Sequence, residues 1–250
     1  MHMAYIRETC EAGKTISVRL YYSATYNKET KSRQPKKRLT TEAQREVNRQ
    51  QAVRKLTRLM NANFGADDYY ITLDYRKEER PASPDEMRNE AREFLKQLRR
   101  AYKKAGKILK YIYVAERGKR GALHHHLVIS GGVDVKVLKD IWQRGWITIK
   151  PLDKSGHYPR LAEYFIKWSH EAMQTDAKIH GKHWNSSRNL IHPVPEKEIV
   201  SERRWYREEA RPIPGYYVDP KSIQSGIHEK TGYPFFYYVL VKSKPDGGGG

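Results

Sequence analysis

The order of elements in the sequence predicts an α+β fold: one antiparallel sheet in βαββαβ order, with its helices on one face. Three observations carry this. Residues 69–75 (YYITLDY) are a β-rich run ending in charge, a capped amphipathic helix follows directly, and two further β-rich runs flank a charged turn. Such an order folds most economically as the split-βαβ, ferredoxin-like or RRM-like arrangement.

Each element has its own justification. Ser83, Pro84, Asp85 and Glu86 supply an N-cap, a first-turn proline and a capping-box glutamate. The helix they open places Met87, Ala91, Phe94, Leu95, Leu98 and Tyr102 at 3–4 spacing and stops at Gly106. Residues 109–116 (LKYIYVAE) read as the second strand, 117–121 as a turn, and 123–130 (LHHHLVIS) as the third strand, closed by Gly131 and Gly132. A short helix at 135–142 and a strand at 146–150 complete the set, and a further helix is expected over 159–173.

The flanks are less regular. A strand is expected at 14–22 and a helix at 41–64, with Ala43, Val47, Val53, Leu56, Leu59 and Met60 near one face; a basic polar loop, 27–38, separates them. The predicted organisation is an N-terminal extension at 1–66, a core at 67–175, and a basic, aromatic C-terminal extension at 176–246. That last segment includes RRWYR at 203–207 and a strand at 235–241, with no separate fold assigned. Residues 247–250 have the composition of a linker. Gly13-Lys14-Thr15 has the look of a phosphate loop, but the glycine needed five residues earlier is Glu8.

Composition narrows the partner. The 250 residues hold 48 Lys plus Arg against 29 Asp plus Glu, a net charge of +19. Solubility alone needs a magnitude of only about 2–8. Such an excess, together with 18 Tyr, 5 Trp and 5 Phe, suits a protein that handles a polyanion, with nucleic acid the first suspect. The one cysteine, Cys10, excludes an intramolecular disulfide and a cysteine zinc cluster, and fits a reducing compartment. No apolar run approaches the ~18 residues of a membrane span, and the first residues lack a signal core. The expectation is a cytoplasmic protein with no membrane partner.

The candidate chemistry starts with three consecutive histidines. On a strand, His124 and His126 share one face while His125 points away. A turn centred on Lys119 and Arg120 would set Glu116 opposite His124 and on the same face. Two imidazoles and a carboxylate leave coordination positions open, as a Lewis acid that binds a phosphate oxygen requires; Zn, Fe or Mn would suit these donors. The competing reading is a polar surface strand, with Glu116 merely pairing Arg117 or Lys119. A second feature is Tyr164 and Lys167, i, i+3 on the expected last helix. A phenol of ordinary pKa about 10 needs a nearby cation to attack at neutral pH, and Lys167 or a metal could supply one. The competing reading is a tyrosine at the core boundary. Tyr158 is a rival nucleophile, but it precedes Pro159 and has no lysine three residues on.

In these residues the chain resembles the HUH endonuclease superfamily, and within it the single-tyrosine rolling-circle replication initiators of phage and plasmid type. Tyr70-Ile71-Thr72-Leu73 stands where the family has an FTLT-like strand, His124-His125-His126 matches its His-hydrophobe-His motif, and Tyr164 to Lys167 matches its Tyr-x-x-Lys motif. Order and spacing agree over about residues 69–170; the departure is His125, where the family has an aliphatic residue. The resemblance implies Mg or Mn held by Glu116, His124 and His126, and Tyr164 as nucleophile with Lys167 beside it. It further implies nicking and rejoining of single-stranded DNA at a replication origin, in hairpin form, through a 5′-phosphotyrosine that leaves a 3′-hydroxyl primer. Host helicase and DNA polymerase are the implied partners. DNA contacts are expected at Arg99, Arg100, Lys103 and Lys104 on the first core helix, at Lys119 and Arg120 in the turn, and at Lys182, His183, Trp184 and Arg188. The alternatives are a non-catalytic RRM-like binding module, a transposase or relaxase of the same superfamily, and a nuclease that uses water.

Overall fold

The computed structural model describes residues 3–23, 26, 42–117, 122–174, 184–200, 209–228 and 232–243. In chain order the elements are β1 (Ala4–Ala12), β2 (Thr15–Ser23), α1 (Glu42–Asn63), β3 (Tyr69–Asp74), α2 (Pro84–Lys104), β4 (Tyr111–Arg117) and β5 (Leu123–Ile129). There follow α3 (Val135–Ile141), β6 (Ile147–Pro151), α4 (Pro159–Gln174), β7 (Asn185–Ser186), β8 (Glu196–Ile199), β9 (Tyr216–Val218), β10 (Gln224–Ile227) and β11 (Pro234–Lys242). They divide into two units, one of residues Ala52–Ile191 and one drawn from Met1–Gln51 and His192–Gly250.

The central unit is the predicted α+β sheet. Its strand order is β6-β3-β5-β4-β7, every neighbouring pair antiparallel. The strands β3 and β4, joined through α2, are separated by β5, which is the split-βαβ topology. At the start of α2 the Ser83 hydroxyl accepts from the Glu86 amide at 3.1 Å. The Glu86 carboxylate reaches one residue further back than a standard capping box and accepts from the Ala82 amide at 2.7 Å. Gly106, at φ 64°, ends the helix in a left-handed conformation that costs glycine little.

One expectation needs correcting: the helices do not all lie on one face. α2 and α3 cover Ile71, Leu73, Tyr113 and Leu127. The alternate residues Ile112, Val114 and Val128 are covered by Leu56 and Met60 of α1 and by Phe165 and Ile166 of α4. The cause is in the strands, whose second face is as apolar as the first and would otherwise stand in water.

The second unit is a sheet of order β10-β11-β2-β1-β8, with β9 alongside β11. Of its strands, only β2 and β11 are foreseen in the sequence. β1 and β2 pair from Ala4↔Ser23 to Ala12↔Thr15. The turn is Gly13-Lys14, with Gly13 at φ 59°, as the first position of a tight two-residue hairpin requires. The Gly13-Lys14-Thr15 string is therefore a hairpin turn. β2 then pairs with β11 from Thr15↔Val241 to Tyr21↔Phe235, joining the two ends of the chain in one sheet around Tyr5, Val18, Leu20 and Leu240. The unit boundaries thus fall at 52 and 191 and not at 67 and 175, and residues expected to be separate extensions share a core.

The segments expected as a basic loop at 27–38, the turn residues Lys119 and Arg120, Lys182 and His183, RRWYR at 203–207 and the tail at 247–250 lie outside the described residues. Among the described residues, no helix is long and apolar enough to cross a membrane.

Candidate catalytic site

Pairing of β4 with β5 sets the site. Glu116 is opposite His124 and Val114 opposite His126, the register expected from a turn at 119–120. Glu116 and His126 are nonetheless the pair in contact, Glu116 Oε2 lying 2.5 Å from His126 Nε2, and both are buried. A carboxylate can only accept, so the imidazole carries its proton on Nε2 and its Nδ1 is an acceptor. That nitrogen lies 2.8 Å from the Tyr70 hydroxyl and 3.3 Å from Thr72 Oγ1. Tyr70 and Thr72 alternate onto this face from β3, so the FTLT-like strand supplies the groups that orient His126.

Tyr164 reaches the same point from α4. Its hydroxyl donates to Glu116 Oε2 at 3.2 Å and lies 3.4 Å from His126 Nε2, and its ring meets the His126 ring edge-on at 5.2 Å. Burial, with the neighbouring Tyr70 and Glu116, pushes the phenol well above its ordinary pKa of about 10. Attack by this oxygen therefore requires positive charge nearby. Lys167 follows one turn later on α4 with its side chain exposed. Tyr158, the rival, is buried, and its hydroxyl donates to the Asp153 carbonyl at 3.1 Å, away from these groups.

His124 is on the expected face but turned aside. Its Nδ1 lies 2.5 Å from Asp74 Oδ1, and Asp74 is its partner in the β3–β5 register. Among the described residues, no three His, Cys, Asp or Glu side chains gather closely enough to hold a metal ion as they stand. The donors suit a divalent cation in kind: an imidazole and a carboxylate converge on one point, and a second such pair lies beside them on the same face. Asp74 escaped the sequence reading, because its place opposite His124 depends on how β3 and β5 align.

His125 points to the other face and is fully buried. Tyr75 bonds its Nε2 at 2.5 Å and Tyr113 its Nδ1 at 2.8 Å, and the Trp142 ring packs edge-on at 5.8 Å. Of the expected DNA contacts, Arg99, Arg100, Lys103, Lys104 and Arg188 are exposed, while Trp184 is half-buried against the core beneath α4.

Residues 68–169 match the family model of replication-associated protein ORF2. The match runs from the edge of β3 into α4 and so takes in Tyr70, Glu116, the three histidines, Tyr164 and Lys167. Comparison with curated proteins and with solved structures returns no match. The central part of this chain is thus similar to replication-associated proteins.

Proposed function

We propose that the protein initiates rolling-circle replication by nicking single-stranded DNA at an origin, in hairpin form, with Tyr164 as the nucleophile. The observation that carries this reading is the meeting of Tyr164, Glu116 and His126 within 3.4 Å, from three separate elements. Glu116 and His126 would hold Mg or Mn, with His124 as third ligand once its ring leaves Asp74. The metal would polarise the scissile phosphate and favour the phenolate.

Tyr164 forms the new P–O bond, the bond to the 3′-oxygen breaks, and the phenol proton, held on Glu116 Oε2 here, ends on that 3′-oxygen. Lys167 adds positive charge on the side of α4 where the phosphate would approach. The phosphodiester energy is kept in the 5′-phosphotyrosine, so rejoining needs no ATP, and the 3′-hydroxyl primes a host polymerase working with a host helicase.

The test is a denaturing gel of protein, Mn and single-stranded DNA from the protein's own element, run beside Tyr164→Phe. An SDS-resistant adduct with the wild type alone is expected. Binding without an adduct on the native origin would replace this reading with a binding module, and cleavage without an adduct would replace it with a nuclease that uses water.

A further inference from the structure

At the far end of β4 from Glu116, about 17 Å along the strand at ~3.4 Å per residue, a cavity of about 700 Å³ opens beside α2. Arg99, Lys103, Lys107 and Arg188 converge on it from three segments, and no carboxylate is among the residues that line it. Its walls are well tied. Arg99 Nη2 donates to the Tyr111 hydroxyl at 3.0 Å. The Ser187 hydroxyl accepts from the Tyr111 amide at 3.1 Å, and the Asn189 side-chain amide donates to the Leu109 carbonyl at 3.1 Å.

Two ordinary explanations fall short. Lysine near a helix C-terminus complements the macrodipole, which accounts for Lys103 but not for Lys107 and Arg188, which come from outside the helix. Cations on a helix face usually pair locally, and α2 does this earlier. Arg88 pairs with Asp85, Arg92 with Asn89 at 3.0 Å, and Lys96 with Glu93 at 3.2 Å. The same stripe continues to Arg99 and Lys103, but the residues three positions before these are Lys96 and Arg100, so the local acids stop where the cavity begins.

We propose that this cavity is a second DNA site, which holds backbone phosphates of the substrate strand away from the scissile phosphate. It rests on the reading that the protein acts on DNA. Tyr111 faces the α2 side of the sheet and Glu116 the α4 side, so a bound strand would pass around the β4–β7 edge between the two. Its contacts are to phosphate, so they are independent of sequence.

The experiment is anisotropy titration of a labelled oligothymidylate at several salt concentrations, in a Tyr164→Phe background that leaves the DNA intact. The Lys103→Gln/Arg188→Gln pair should lower the slope of log K against log salt by about 1.4, at ~0.7 per single-strand phosphate contact. The control pair Lys136→Gln/Lys139→Gln, two exposed cations on α3, should leave the slope unchanged. An unchanged slope for the first pair, or an equal fall for both, overturns the proposal. The adduct assay separates the two readings. An adduct with an unchanged slope removes the second site alone, whereas no adduct with a slope lower by about 1.4 removes nicking and keeps the site.

Discussion

The two faces of β5 set the same side chain in opposite roles. His125 and His126 are adjacent, both are buried, and each has a tyrosine hydroxyl 2.8 Å from its Nδ1. On the α2 face, the second nitrogen of His125 is taken by Tyr75 at 2.5 Å, and aromatic rings close the site. On the α4 face, the second nitrogen of His126 meets a carboxylate and the phenol of Tyr164, while His124 and Asp74 beside it keep about 30% of their side-chain surface. A polar cluster whose groups satisfy one another suits stability; one whose donors converge beside an accessible edge suits chemistry.

The largest effect expected is on the open face. Tyr164→Phe should lower adduct formation by about ten-thousand-fold or more while DNA affinity stays within about twofold, measured by gel and by anisotropy. Retained nicking would remove Tyr164 as nucleophile. Next in size, Glu116→Gln and His126→Ala should each lower metal-dependent nicking by about a hundredfold or more. Full activity in either, with Mn affinity unchanged by calorimetry, would place the metal elsewhere.

The closed face should answer in stability. His125→Leu strands the Tyr75 and Tyr113 hydroxyls in the core, at a cost of about 2–4 kcal/mol from two lost buried bonds, read as a lower urea midpoint. Adduct yield at low temperature should be retained; a loss of yield with an unchanged midpoint would show that the two faces are not distinct. Alkaline pH acts on both. Burial raises Tyr75 and Tyr113 on one face and Tyr70 and Tyr164 on the other. The folded protein then keeps protons that the unfolded chain releases above pH about 10. Stability should be intact below that pH and fall above it by ~1.4 kcal/mol per pH unit for each tyrosine. Urea midpoints that stay level through this range would contradict the burial of these phenols.

Much of this contrast was legible in the sequence, because it depends on local periodicity. Alternation alone separates His125 from His124 and His126, and a turn at 119–120 is enough to set Glu116 opposite His124. The cap at Ser83 and the stripe from Met87 to Tyr102 define α2 without tertiary information. What escaped depends on pairings between distant residues. Asp74 reaches His124 only through the β3–β5 register, and the second helical layer is specified by contacts between α4 and β4. The sheet of the other unit joins Thr15 to Val241, and its strands β8, β9 and β10 are three or four residues long, too short to show a period.

The smallest effect is also the sharpest comparison, since Tyr70→Phe and Tyr113→Phe delete the same atom at the same distance from neighbouring histidines. Without the Tyr113 hydroxyl, His125 loses a bond in a dry core, and the cost should appear as about 1–2 kcal/mol of stability with Mn affinity unchanged. Without the Tyr70 hydroxyl, His126 keeps Thr72 within 3.3 Å of the same nitrogen, so the loss of stability should be the smaller of the two. Metal affinity should suffer instead. A histidine that binds metal through Nε2 must carry its proton on Nδ1 and donate it to a fixed acceptor, and losing such a partner typically costs about 10-fold or more. The Tyr70 oxygen is placed to be that acceptor, and a phenylalanine side chain in its place would offer none. Calorimetric titration with Mn alongside urea melts of both variants reads the two quantities at once. If both variants lose only stability, the open face is a second closed one and Tyr164 stands beside no metal site.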